Sequence, residues 1–590
     1  MQRGRAAGSA ARRRQLRPSA SAVALVASCL SGLALSVLAS SQVLAVDLAA
    51  LALGLAGVIG ATTALLRPKA LTRSMSGPIL AWLAFMGWAL VSALASGRGW
   101  SAFVGEPTNL WGLLSLAAAT AVAATAASWS EEVGAVLSAV APAVIVVELA
   151  IVFSQAATGQ PIRGSLPNST YLGELVVLLV PFVGLRSDRT RSKAADALAV
   201  GAIAAVAASS ARVATLSLLA WFVAERVWRR ARTARERYAA AAVAAAVAVG
   251  GAMVFARDEI AATFAASTWT ERLLMWSDAW RAMLARPVVG YGPDGFIGAG
   301  ASVSTVERMQ QGPVLLYHLY GTADPHNVVV WVGVSAGVVG LSLVVLTLVH
   351  VVRRWRENAE HSEQSKAAVW ALCMTAATLL TAPAAMQIAP ILGLVLGLSL
   401  SGARGAGEHG HPNVVKWAPA VLGVMSAALV ASMLLRIPFE EPSQSRSPRL
   451  AHAALRAAEA ARLDPYLWYL ASQHLGWAVR AGTASFDERP DLRAAENAAA
   501  LDRRNPFYAL EVARTLAFYG APESEVEAAY AETFRRWPAF PLAHAERAYY
   551  LATTGRRQEA ARELAMARLC SGECADVEAA IRAAERALQE

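Results

Sequence analysis

Thirteen apolar runs dominate this chain, falling at about 20–44, 46–66, 77–96, 110–128, 133–154, 170–186, 194–211, 213–227, 238–256, 326–352, 367–383, 386–402 and 416–436. Most have the roughly 17–25 residues that a helix needs to cross a bilayer's hydrocarbon core. Lipid offers no water to a backbone N–H or C=O, so each crossing segment must satisfy its own hydrogen bonds, as a helix does. The expected fold is therefore an all-α, polytopic helical membrane protein of about 12–13 spans. With 56% hydrophobic and 16% charged residues, a soluble globular protein is excluded.

A formal charge of +10 suggests nucleic acid until the basic residues are located. Most flank apolar runs or lie in the C-terminal fifth, so they report topology. The N-terminus, residues 1–19, carries Arg3, Arg5, Arg12, Arg13, Arg14 and Arg17 ahead of the first run. It resembles a signal peptide, but further runs follow at once and no clear small-residue cleavage site stands out, which favours a retained span and a cytoplasmic N-terminus. Alternation then puts Lys69, Lys193, Lys366 and Lys416, all the lysines of the chain, in cytoplasmic loops. Ser128 to Glu132 fits least well, being acidic on the same side. The loops 97–109, 155–169 and 257–325, and everything after about 437, fall on the outer face, which divides the chain into a membrane domain over 20–436 and an extracytoplasmic domain over 437–590.

That last domain is charged and shows helical periodicity without membrane length. Leu463-Asp464-Pro465-Tyr466 recurs as Leu501-Asp502-Arg503-Arg504-Asn505-Pro506-Phe507 and, more loosely, as Phe534-Arg535-Arg536-Trp537-Pro538. A helix ending near an apolar-basic pair, with proline opening the next, resembles degenerate tetratricopeptide repeats. Such hairpins offer a concave surface to a peptide or protein partner; a helical cap without a ligand is the alternative. Cys570 and Cys574 are either a disulfide, permitted in an exported domain, or two free thiols on one helical turn.

The chemistry is expected between Thr268 and Val334, a polar stretch between two apolar runs. Polar residues held at a hydrocarbon boundary mark a working site by default. Thr268 and Glu271 have capping-box spacing, and Leu273, Trp276, Trp280 and Leu284 line one face of the helix that follows. Such a helix lies in the membrane interface among headgroups. Arg98, Arg163, Arg212, Arg272, Arg281, Arg286 and Arg308 sit on or near the outer face, against the topological bias. An arginine there suits an anionic ligand, because its planar fork holds phosphate oxygens and keeps its charge; snorkelling to lipid phosphate is the plainer reading for Arg212. For Arg281 and Arg286 a solvated face is the better reading. Of the nine histidines only His318 and His326 lie outside the cell without belonging to the C-terminal domain, and His326, beside Asn327, suits proton transfer from a hydroxyl. The turn Gly290-Tyr291-Gly292-Pro293-Asp294-Gly295 lacks a Lys-Ser/Thr continuation and reads as a plain turn. No metal-ligand cluster or cofactor fingerprint is present, so no metal and no cofactor is expected.

Taken in order, several phrases resemble the O-antigen ligase and polymerase family, membrane glycosyltransferases that use undecaprenyl-diphosphate-linked glycans. They are Gly164-Ser165-Leu166-Pro167-Asn168, a Ser-Ala-Arg phrase ending at Arg212, Glu271-Arg272 with Trp276, Pro287 with Gly290 and Gly292, Pro325-His326-Asn327, and a span with Gly333 and Gly337. The resemblance covers roughly 150–345. It implies a metal-independent, inverting transfer on the outer face. Arg212 and Arg272 would stabilise the donor diphosphate with Arg163 as a third cation, and His326 would be the general base. The family's serine usually adjoins its arginine, whereas Ala211 intervenes here. Partners implied are the lipid-linked oligosaccharide, a glycan, lipid or protein acceptor, and the membrane, with no nucleic acid. Rival readings are a protein O-oligosaccharyltransferase and a lipid-glycan transporter.

Overall fold

Twelve of the thirteen apolar runs are helical in the computed structural model, and the remaining one, 238–256, lies outside the described residues. The structure describes residues 18–37, 39, 41–66, 77–107, 109–166, 168–183, 193–209, 211–230, 268–306, 309, 325–357, 362–380, 385–400, 414–439, 447–483, 485, 488–570 and 575–590. The membrane part runs α1 (Ala20–Val37), α2 (Gln42–Leu66), α3 (Gly77–Ala95), the short α4 (Ser101–Val104), α5 (Leu113–Ser128), α6 (Ser130–Ala157), α7 (Ser169–Leu179), α8 (Lys193–Ala208) and α9 (Arg212–Arg230). It continues with α10 (Thr268–Ala285), α11 (Phe296–Val303), α12 (Val328–Glu357), α13 (Glu363–Leu379), α14 (Ala389–Leu400) and α15 (Val414–Arg436). Among the described residues four helical stretches, Val43–Leu65, Ser130–Ala157, Val328–Arg353 and Trp417–Phe439, are long and apolar enough to cross a membrane, and shorter apolar helices pack beside them.

The helices alternate in direction, which sorts the loops onto two ends. At one end Glu132, at the start of α6, accepts from the backbone N–H of Ser19 (3.1 Å) just before α1. At the other, Asn327 donates to Leu380 O (3.1 Å), Ala385 N donates to Glu174 of α7 (3.3 Å), and Ser165 N donates to Glu148 of α6 (2.9 Å). Both glutamates are buried, and each ties a loop down onto a helix.

α12 is not continuous. Gly337 has φ 66° and ψ −170°, which breaks the helix and orphans its backbone groups. The turn after α10 fills the gap: Tyr291 N and Gly292 N donate to Val334 O and Ser335 O (both 2.9 Å), and Val338 N donates to Pro287 O (2.8 Å). From α3, Trp88 donates to Ala336 O (2.8 Å) and Ser92 to Ser335 O (2.7 Å). Irregular backbone at such a place is tolerated only where protein satisfies it. Only glycine fits Gly337, because its Cβ would run into the carbonyl of Val288.

The C-terminal part follows as helical hairpins: α16 (Pro448–Ala460), α17 (Pro465–Arg480), α18 (Pro490–Leu501), α19 (Pro506–Phe518), α20 (Glu523–Arg536), α21 (Pro541–Thr553), α22 (Arg557–Cys570) and α23 (Ala575–Gln589). Its recurring phrases are helix starts. Asp464 caps Tyr466 N and Asn505 caps Phe507 N (both 3.0 Å), each with proline in the first helical turn, where its missing N–H costs nothing. The third phrase is offset: α21 opens at Pro541, and Trp537-Pro538 form the turn before it. Its basic member has a structural use, since Arg536 donates to Asp502 O (2.9 Å), Asn505 O (2.8 Å) and Ala499 O (3.0 Å) and so stitches one hairpin to the next. Cys570 is buried at the end of α22, and Cys574 lies outside the described residues.

Three attachments hold this domain to the membrane part: α11 places Ile297 and Ala301 in one buried cluster with Leu510, Ala513 and Tyr530 of the hairpins, and two polar ties join it. Arg436, the last residue of α15, makes a buried bidentate pair with Asp464 (3.0 and 2.8 Å). The turn after α18 grips the loop after α3: Arg503 N donates to Gly97 O (3.3 Å), and Arg504 Nε donates to Ser96 O (2.6 Å). Beneath that grip, Arg98 is fully buried, paired with Glu106, donating to Pro293 O (2.7 Å) and 3.9 Å from Asp502. Asp294 accepts from Glu106 N (2.7 Å), Asn109 (2.8 Å) and Trp111 N (3.1 Å).

Candidate functional site

α10 starts at Thr268 and stops at Ala285, directly before Arg286-Pro287. Its exposed stripe is Leu273, Trp280 and Leu284, all more than half exposed. Trp276 departs from the expected face: it is half-buried and its indole N–H donates to Pro325 O (2.9 Å). Met275, Ala279 and Ala282 form the buried face, packed against Tyr291 and Val334.

That tryptophan bond organises the site. Arg272 lies four residues before Trp276, hence on the same side of α10 one turn away, and Pro325 immediately precedes His326. The helix carrying one expected functional residue is thus fastened to the segment carrying the other. His326 itself is half-buried with φ 56°, a left-handed conformation that costs a non-glycine residue about 1–3 kcal/mol and persists only where neighbours enforce it. Asn327 supplies the second restraint. Its Oδ1 caps α12 at Val329 N (3.0 Å) and Val330 N (3.1 Å) while its Nδ2 holds Leu380 O. His326 therefore sits between two fixed points, one on α10 and one at the end of α13.

Arg212 is the first residue of α9, and its side chain is exposed. A β-carbon on Gly173 of α7 would meet those of Ala211 (3.0 Å) and Ala214 (2.6 Å), so α7 and α9 touch at their starts. Both pack on α13, whose far end holds Asn327. Arg212 thus shares an end of the bundle with His326 and is connected to it through α13. The starts of α7, α9 and α12 all lie at this end, and helix starts carry a positive partial charge that favours anions.

Arg163 is carried separately. Gln155 at the end of α6 accepts from Arg163 N (2.9 Å) and Gly164 N (3.0 Å) and donates to Gly164 O (2.8 Å), while Ser165 is held by Glu148. Gly164 and Ser165 are thus fastened in place while the Arg163 side chain is left exposed. It stands at the same end as the others, on a loop of its own.

Two arginines read differently in the structure. Arg98 is consumed by its buried pair with Glu106 and has nothing left for a ligand. Arg286 is not on a solvated face: it is half-buried and reaches Ala95 O and Ser96 O (both 3.5 Å) and Gly290 O (3.4 Å). Arg281 is exposed as expected, and Arg308 and His318 lie outside the described residues. The glycine turn is no phosphate cradle, since its amides at Tyr291 and Gly292 are taken by α12. Among the described residues no three His, Cys, Asp or Glu side chains come together as a metal site would need.

Sequence reasoning passed over the ties themselves. Trp276, Asn327, Glu148 and Gln155 position the site, and their one legible signal was a polar or amphipathic residue set beside an apolar run.

Residues 197–345 match the family model of the O-antigen ligases. The match runs from α8 into α12 and contains Arg212, Arg272 and His326, together with Trp276 and Asn327, while Arg163 and the C-terminal helices lie outside it. No curated protein matches the chain.

Proposed function

Starting from an O-antigen ligase domain in a helical membrane protein, we propose that the chain is a glycosyltransferase that transfers or polymerises undecaprenyl-diphosphate-linked glycan on the outer face of the cytoplasmic membrane. The N-terminus then lies inside and the C-terminal helices outside. One observation carries the reading: the bond from Trp276 to Pro325 O (2.9 Å) fastens the Arg272 helix to His326, at the end of the bundle where Arg212 begins α9.

In this mechanism His326 takes the proton of the acceptor hydroxyl as its oxygen attacks the anomeric carbon. The bond from that carbon to the diphosphate breaks on the opposite side, which inverts the centre. The electron pair leaves with undecaprenyl diphosphate, whose growing charge Arg212 and Arg272 stabilise, with Arg163 as a further cation. Fixed cationic donors aimed at developing charge are worth roughly 10²–10³ in rate each. No step requires a metal.

The test is incubation of the purified protein with an undecaprenyl-diphosphate oligosaccharide, scoring chain growth against transfer to a second acceptor. His326→Ala and Arg272→Ala should each abolish transfer in protein that still inserts and folds; activity retained in both would reject the assignment. A polypeptide acceptor is a second reading. It is favoured by an open cavity of about 310 Å³ on the C-terminal domain, lined by Ala499, Ala509, Val512, Ala529 and Arg503, beside the turn that grips the membrane part. Glycan found covalently on protein in the same assay would select it.

A further inference from the structure

The junction between the membrane helices and the C-terminal domain holds a second concentration of positive charge, about 20 Å along α10 from Arg272 at 1.5 Å per residue. Arg286 and Arg504 lie over the same tyrosine, their guanidinium carbons 5.4 and 5.1 Å from the Tyr291 ring centre. Both also donate to one carbonyl oxygen, that of Ser96, at 3.5 and 2.6 Å. Their nitrogens therefore lie no farther apart than those two bonds laid end to end. Among the described residues their guanidinium groups donate to backbone carbonyls, which carry no charge. Asp502, the acid whose charge reaches Arg504, spends Oδ1 on the amides of Arg504 (3.0 Å) and Asn505 (3.2 Å) and turns Oδ2 to Arg98. Burial and the neighbouring charge of Arg286 pull Arg504 below the ordinary guanidinium range.

Two converging cations served by a shared carbonyl are short of negative charge, and both remain partly open to solvent. What surrounds them is greasy: Leu94 at the end of α3 is 69% exposed, Leu284 59% and Val288 51%. Leu94 adjoins Ala95, whose carbonyl Arg286 reaches, and Leu284 and Val288 flank Arg286 in sequence. Cations set above exposed aliphatic side chains match an anionic lipid, phosphate uppermost and acyl chains below.

We propose that Arg286 and Arg504 form a binding site for the phosphodiester of an anionic phospholipid, separate from the glycan-transfer site. Its acyl chains run past Leu94, Leu284 and Val288. Because one arginine belongs to the membrane part and the other to the C-terminal domain, the bound headgroup cements the two.

The test uses the full-length purified protein in detergent, with thermal unfolding and native mass spectrometry as readouts. Phosphatidylglycerol should raise the wild-type midpoint by several degrees, as any ligand selective for the folded state does, and should survive on the protein as a bound lipid. Phosphatidylcholine should do neither. Arg286→Gln and Arg504→Gln should each weaken the phosphatidylglycerol response by ~10-fold in lipid concentration, the size expected from one lost charge-assisted bond. Arg286→Gln leaves the bond from Arg504 to Ser96 in place and keeps the test valid should Arg504→Gln loosen the domain. Equal protection by phosphatidylcholine, or full protection of the double variant, overturns the proposal. Inorganic phosphate protecting as well as the lipid overturns the lipid assignment. None of these readouts depends on glycan transfer, so they stand or fall apart from that reading.

Discussion

Replacing Trp276 by phenylalanine removes one N–H from the centre of the site and keeps most of the ring's packing. The lost bond, 2.9 Å to Pro325 O, leaves a buried carbonyl without its donor, a cost of about 1–3 kcal/mol. The left-handed turn at His326, with φ 56°, stores strain of about the same size. Without the tryptophan the turn has as much to gain by relaxing as it loses by moving, and the Asn327 tether opposes it. At 1.36 kcal/mol per decade of rate, a penalty of ~1.4 kcal/mol in holding the catalytic conformer lowers turnover ~10-fold, within a range of ~5- to 160-fold. The assay is chain growth from undecaprenyl-diphosphate oligosaccharide by purified protein, with donor concentration and pH varied. Turnover should fall while KM for the donor and the shape of the pH profile stay put, because Arg212, Arg272 and the imidazole remain. Turnover within twofold of wild type would refute the reasoning and show that His326 keeps its place without α10.

Other substitutions probe the scaffold. Arg436→Met strands the buried Asp464 carboxylate and should cost ~3–5 kcal/mol in denaturant unfolding, whereas combining it with Asp464→Leu should recover most of that loss; a double variant no better than the single one contradicts the assignment. Gly337→Ala forces a side chain into φ 66°, ψ −170° against the Val288 carbonyl, and should lower the yield of folded protein by more than the ~1–3 kcal/mol of backbone strain alone; wild-type yield and melting would mean that α12 is not broken there. Glu106 is pushed up to about 7 by burial, against the pull of Arg98 and with Asp502 and Asp294 adding to the push. The folded state therefore keeps a proton that the unfolded chain releases between about pH 4.5 and 7, and this contribution to stability is complete below that window and lost as pH rises through it. Glu106→Gln cannot titrate, so the melting difference, wild type minus variant, should fall across the window; a flat difference rules the mechanism out.

The membrane fold was legible because its determinants are local. A run of apolar residues specifies a spanning helix wherever it occurs, and twelve such runs are helices here. α10 was legible for the same reason, from Thr268 at its start to Pro287 just past its end. Its faces were less so: helical spacing assigned Trp276 to lipid, but the indole has a bond to make, and the carbonyl that accepts it is 49 residues away. The knot of Arg98, Glu106, Asp294 and Asp502 was invisible for a stronger form of this reason. Its members are single residues in separate loops, and local periodicity says nothing about which loops meet. Gly337 was quoted within a span, yet nothing in an apolar run distinguishes a glycine that breaks a helix from one that packs it.

The clasp at Arg436, the grip at Ser96 and Gly97 and the seat of α11 in the hairpin core together have a mechanical consequence. A body secured at a single point can swivel and one secured at two can still rock about the line joining them, whereas three attachments leave it neither freedom. Anything the hairpins grasp is consequently delivered at a set height and bearing above the bilayer, so the C-terminal helices act as a bracket rather than as a tethered arm.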